Sequence, residues 1–185
     1  MDPVSKRTRF FAALPIFNNQ AWMSDPQMRD PKFAGMVLNA NGGIPGKSYA
    51  VIRRWTAPRD GTIAIDGTLR HPQKEGDGVI GRIVSNRLGE LGGWAVFQNQ
   101  IPTKIPKSLV KRGDTIDFIV ECRGNPKADN FGWAPTIRMA EAKEGELADW
   151  NAQRDFGGAV AIRRLEAWEK FAQVLLETNE LTFVN

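Results

Sequence analysis

Six tryptophans in 185 residues, set among arginine, asparagine and aspartate side chains, are the residue types that grip a sugar ring. An indole face stacks on the C–H face of a pyranose, while planar polar groups take hydroxyls in pairs. Trp94 follows Gly92 and Gly93, and Trp133 follows the Asp129-Asn130 loop, so both are candidate platforms, with a place in the core as the alternative for each. Trp22 stands in an irregular stretch expected to be exposed, whereas Trp55 and Trp168 fall in strand and helix patterns and are expected to pack. The polar candidates are Arg53, Arg82, Asn86, Arg87, Arg123, Asn125 and Asp129, each of a type that is more often simply solvated.

Catalytic chemistry finds less support. A glycosidase needs two carboxyls roughly 5–9.5 Å apart. Asp117 and Glu121 share one face of a strand pattern, which at ~3.3 Å per residue separates them by about 13 Å. The single histidine, His71, closes a strand pattern and is expected at the surface or rim, with no nucleophile elbow to partner it. Gly42 to Ser48 ends in Gly-Lys-Ser, but the glycine spacing is wrong for a phosphate loop and Pro45 stiffens it. No catalytic residue is therefore expected. Calcium is a milder possibility: Asp77, Asp129 and Asn130 offer hard oxygens in two loops, although turn formation explains the same residues. The lone Cys122 cannot form an internal disulfide and reads as a small, half-buried apolar residue.

The elements that must position these residues are strands. From Ala50 to Met139 the apolar residues recur with period two, broken by turn residues. Ile63, Ile65 and Leu69 share one face against Thr62, Asp66 and Thr68; Ile116, Phe118 and Val120 oppose Asp117 and Glu121. Further strands are expected at Ala50 to Thr56, Val79 to Ser85, Trp94 to Gln98 and Trp133 to Met139. Turn chemistry fills Pro58 to Gly61, Glu75 to Gly78, Lys111 to Asp114 and Arg123 to Pro126. Arg9 to Leu14 could add a strand, Asn39 to Gly46 reads as loop, and Gly145 to Asn151 as a short helical turn. From Ala159 to Glu177, Ile162, Leu165, Trp168, Ala172 and Leu175 recur at helical spacing, an apolar stripe that must pack on the sandwich or on another domain. The expected fold is all-β: a jelly-roll-like antiparallel β-sandwich over residues 1–140, with a C-terminal amphipathic helix in an appendage over 141–185.

The formal charge of +4 is spread along the chain without a basic run, which argues against a nucleic-acid partner but suits acidic polysaccharides. No stretch approaches the ~20 apolar residues of a membrane helix, so no membrane span is expected. The first residues lack the apolar core of a signal peptide, which leaves a cytoplasmic chain or a fragment whose natural start lies elsewhere.

Five segments in order carry a family resemblance: Arg54 to Pro58, Gly76 to Val79, Gly113 to Val120, Asp129 to Ile137, and the ending Trp168 to Val184. Together they resemble the C-terminal β-sandwich region of large planctomycete-type surface proteins, which often carry an N-terminal c-type cytochrome domain and end on a leucine pair, Asn-Glu and Phe-Val. The resemblance implies a C-terminal fragment, an extracytoplasmic setting and a jelly roll like that of carbohydrate-binding modules. A polysaccharide or oligosaccharide ligand then follows by analogy of fold, and the parent protein's missing N-terminal domains become partners. No haem is expected in this chain, because there is no Cys-x-x-Cys-His. The alternative is a structural or docking domain with no glycan ligand, which would show an apolar patch around Trp168 and Leu175 in place of a cleft with exposed aromatics.

Overall fold

Alternating apolar residues need two packed layers to hide one face of each strand. The computed structural model describes residues 13–24, 35–125, 127–140 and 148–157, and over these the chain is all-β with antiparallel sheets and no helix. In chain order the strands are β1 (Ile16–Phe17), β2 (Ala21–Met23), β3 (Val37–Asn39), β4 (Gly42–Ile44), β5 (Val51–Thr56), β6 (Gly61–Asp66), β7 (Thr68–His71) and β8 (Val79–Ser85). They continue as β9 (Gly89–Val96), β10 (Asn99–Pro102), β11 (Ile105–Val110), β12 (Thr115–Cys122), β13 (Phe131–Gly132), β14 (Thr136–Met139) and β15 (Asp149–Asn151).

One layer is the sheet β5-β12-β8-β9. The other is made of two sheets, β11-β6-β14-β15 and β1-β2-β3-β4-β13-β7-β10. Three chain stretches pass from the first of these to the second at one level: Gly67 between β6 and β7, Thr103 and Lys104 between β10 and β11, and residues 133–135 between β13 and β14. Gly67 accepts a backbone bond from Thr103 (2.8 Å). A Cβ on Gly67 would stand 3.0 Å from Thr103 Oγ1, 3.1 Å from Trp133 Nε1 and 3.2 Å from the Pro135 Cα, so any side chain here would press the three bends apart by a few tenths of an ångström.

Between the layers lie Ile63, Ile65, Leu69, Val79, Ile83 and Ile116, all fully buried. Each such side chain stabilises the fold by about 1.5–3 kcal/mol relative to exposure. The expected faces hold: Ile63, Ile65 and Leu69 point inward, as do Ile116, Phe118 and Val120. β8 keeps its expected bounds, while the strand expected from Gly61 to Leu69 is cut by the bend at Gly67. The strand expected at Trp94 to Gln98 starts earlier, at Gly89, and β11 arises where Pro102 and Pro106 hide the alternation.

Two expectations are corrected here. Asn39 to Gly46 contains the hairpin β3–β4 and is not all loop; Asn39 Oδ1 accepts from the amides of Asn41 and Gly42 (both 2.9 Å) and closes its turn. The glycines of β4 are there because the Phe131 and Val37 carbonyls lie 1.9 and 2.2 Å from where a Cβ on Gly42 or Gly43 would be. Asp149–Asn151, in the stretch expected to be a short helical turn, is strand β15, paired with β14 through Ile137 and Trp150. Arg9 to Ala12, the amphipathic pattern from Ala159 to Glu177 and the Leu181 to Val184 tail lie outside the described residues. Among the described residues no helix is long and apolar enough to cross a membrane.

Candidate functional site

β5 is the edge of one layer and β15 the edge of the other, and among the described residues no strand bridges these two edges. A cleft of about 800 Å³ fills the opening. Trp55 from β5 and Trp150 from β15 meet across it edge to face, with centroids 5.2 Å apart at 61°. Trp22 from β2 and Phe156 add further rings, each within 6.0 Å of Phe17, and Tyr49 lies at the rim, 37% exposed. The indole N–H of Trp22 donates to the Gly157 carbonyl (2.9 Å), which fixes the turn after β15 against the β1–β2 ribbon. The indole N–H of Trp55 is buried without a hydrogen-bond partner.

Strand alternation brings Val51, Arg53 and Trp55 to the inward face of β5, opposite Val120, Phe118 and Ile116 in register. Arg53 is therefore a cation at the back of an aromatic cleft. Its guanidinium donates to the carbonyls of Asn39 (2.6 Å) and Ala152 (2.8 Å) and lies 5.4 Å from the Phe156 ring centroid. Burial lowers its pKa to about 10, so it keeps its charge at neutral pH. Arg54, on the outward face, makes a two-pronged bond to Asp117 (2.7 and 2.8 Å). Near the floor, Asp155 accepts from the Asn151 amide (2.8 Å), and its bond to Arg154, followed by that amide, holds its carboxyl below the ordinary range. The cleft thus presents ring faces framed by fixed polar groups.

The residues expected to form a sugar site do not come together. Of that set only Arg53 lines the cleft. Trp133 is a core residue, 3% exposed, packed edge to face on Phe118 (5.5 Å, 85°), its Nε1 donating to Thr103 Oγ1 (2.9 Å). A ring so covered cannot stack on a ligand. Trp94 is half-buried against the core and folds back over its own strand, its ring edge 2.5 Å from where a Cβ on Gly92 would be. Arg82 is held between Glu121 (2.6 Å) and Glu90 (3.5 Å), and Arg87 between Asp114 (2.8 Å) and the Leu109 carbonyl (2.7 Å). Arg123 and Asn125 bind Asp77, tying the Glu75–Gly78 turn to the loop before β13.

Asp129 is buried and not a surface ligand, and His71 is buried with it, contrary to the rim position expected. The two stand 3.5 Å apart as a buried imidazole–carboxyl pair beneath the Phe97 ring. Burial, and then the charge of Asp77, raise the Asp129 pKa. Of the three candidate calcium ligands, Asp129 is buried while Asn130 is exposed, and among the described residues no three His, Cys, Asp or Glu side chains gather as a metal set. Cys122 is a free, half-buried thiol, as expected.

Trp150 went unremarked in the sequence because it lies in the stretch read as a helical turn. The visible signal was the Asn151–Asp155 turn behind it, in which Asn151 Oδ1 accepts from the amides of Gln153 and Arg154 (2.9 and 3.0 Å). No family model, curated protein or solved structure matches this chain.

Proposed function

We propose that this chain is a non-catalytic carbohydrate-binding module with a jelly-roll-like fold, part of a larger extracytoplasmic protein, and that a polysaccharide enters the cleft between β5 and β15. The observation that carries the reading is the convergence of Trp22, Trp55 and Trp150 in one opening with the Arg53 cation behind them. A cleft of about 800 Å³ is of the size that takes a small ligand. The tryptophan rings supply stacking area.

A glycan-array screen of the purified chain, with and without calcium, tests this. Binding to one polysaccharide class, abolished by Trp150→Ala in a protein that still folds, supports the module. Silence across neutral and acidic glycans removes it. A second reading has its own support: Leu14, Met36, Leu38, Val51 and Ile137 make part of the lining aliphatic. That surface suits an apolar segment of a neighbouring domain of the parent protein, and this docking function is what silence on the array would leave.

A further inference from the structure

A second cleft, of about 660 Å³, lies behind the first. The two share the segment 134–137: Pro135 and Ile137 face the tryptophan cleft, whereas Ala134 and Thr136 face this one. It sits at the level where the three chain stretches bend between sheets. Register puts Thr136 beside Asp66, Pro102 beside Thr68, and Gly132 beside Arg70. Because Gly132 has no side chain, Arg70 lies over bare backbone; a Cβ there would stand 3.8 Å from the Arg70 Cβ.

The chemistry of this cleft differs from that of the first. Among the described residues its one carboxylate, Asp66, is already engaged by Arg138 (3.1 Å) and, more loosely, by Lys104 (4.0 Å). Arg70 is exposed and has no carboxylate partner among the described residues. The wall therefore holds a surplus of positive charge next to hydroxyl and amide groups of Thr68, Thr136, Asn41 and Gln153. An exposed guanidinium fork over a side-chain-free floor fits a planar or tetrahedral anion, and the neutral polar groups around it fit sugar hydroxyls.

We infer that this second cleft binds an anionic sugar unit, its carboxylate or sulfate set against Arg70 and Lys104. The inference rests on the glycan reading above and names its ligand class: an acidic polysaccharide.

The test is an NMR titration of the full 15N-labelled chain with three oligosaccharides of equal length, namely an oligoglucuronate, a sulfated galactan fragment and a neutral glucan. The anionic ligands are expected to bind about ten-fold tighter than the neutral one and to shift the Gly67 and Gly132 amides. Arg70→Gln and Lys104→Gln should each weaken them several-fold. Lys107→Gln, which removes the same charge from an exposed position outside this cleft, should not. Equal binding of anionic and neutral ligands, or equal loss in Lys107→Gln and Arg70→Gln, overturns the inference. If the neutral glucan binds, loses binding in Trp150→Ala, and the anionic ligands gain nothing, the second cleft fails while the module reading stands. If none of the three binds, both fall.

Discussion

Replacing Trp133 with alanine separates a core tryptophan from a binding one. The side chain is 3% exposed, packs edge to face on Phe118 and satisfies the buried Thr103 hydroxyl. Truncating a buried tryptophan costs about 3–5 kcal/mol in transfer and cavity terms. Stranding the Thr103 hydroxyl adds about 1 kcal/mol or more, for a total of roughly 4–6 kcal/mol. At this chain length, one kcal/mol moves the midpoint by about 2–4 °C, so Tm should fall by roughly 8–24 °C. Trp150→Ala removes a half-buried ring from the cleft and should cost about 1–2 kcal/mol, including its pairing with Trp55. Thermal and urea melts followed by circular dichroism read both variants, and the glycan titration is run on whichever remains folded. A Trp133→Ala protein that melts within about 4 °C of the parent but loses its ligand would refute the assignment of Trp133 to the core.

Gly67→Ala should destabilise by about 1–3 kcal/mol in urea melts, because the new methyl meets Thr103, Trp133 and Pro135 at 3.0–3.2 Å and must displace all three; an unchanged midpoint would show that they yield. Arg53→Lys keeps the charge but not the fork, so one of the two carbonyls of Asn39 and Ala152 loses its donor; a loss of about 1–3 kcal/mol and weaker ligand binding should follow, and unchanged melts would contradict the strut. For Asp129, burial and the neighbouring Asp77 raise the folded pKa, so the folded state holds the proton more tightly than the unfolded state does. Stability then falls as pH rises from about 4 through the raised pKa. Asp129→Asn removes that titration, so its Tm relative to the parent should climb over this window, and a difference flat from pH 3.5 to 7 would count against it.

The strands were legible where their alternation was unbroken. β8, β12 and the two halves of Gly61 to Leu69 bury Val79, Ile83, Ile116, Phe118, Ile63, Ile65 and Leu69 on the faces that period two assigns. Where backbone geometry decides instead, the pattern misleads. β4 looks like loop because its glycines serve the close approach of Phe131 and Val37, and β11 is masked by prolines that an edge strand tolerates. Gly67 reads as one more residue of a strand, yet it is the point at which the chain changes sheets.

The site was hardest to read for a related reason. Whether a tryptophan is platform or core depends on which strand ends at an open edge, a property of sheet order that local spacing does not encode. Trp55 sits in as regular a pattern as Trp133, yet β5 is an edge strand and its inward face opens into a cleft. Residue 133 sits where three bends converge, and its ring is covered from both layers. The same logic applies to the charges. Arg53 lies on the apolar face of its strand, and the carbonyls of the β3–β4 turn and of Ala152 receive it there. These two bonds tie the cation on β5 to the backbone after β15 and at the β3–β4 turn, so the contacts that fix its charge also join the walls of the cleft. That coupling makes Arg53 a residue at which a loss of stability and a loss of binding should appear together even when its charge is kept, as in Arg53→Lys.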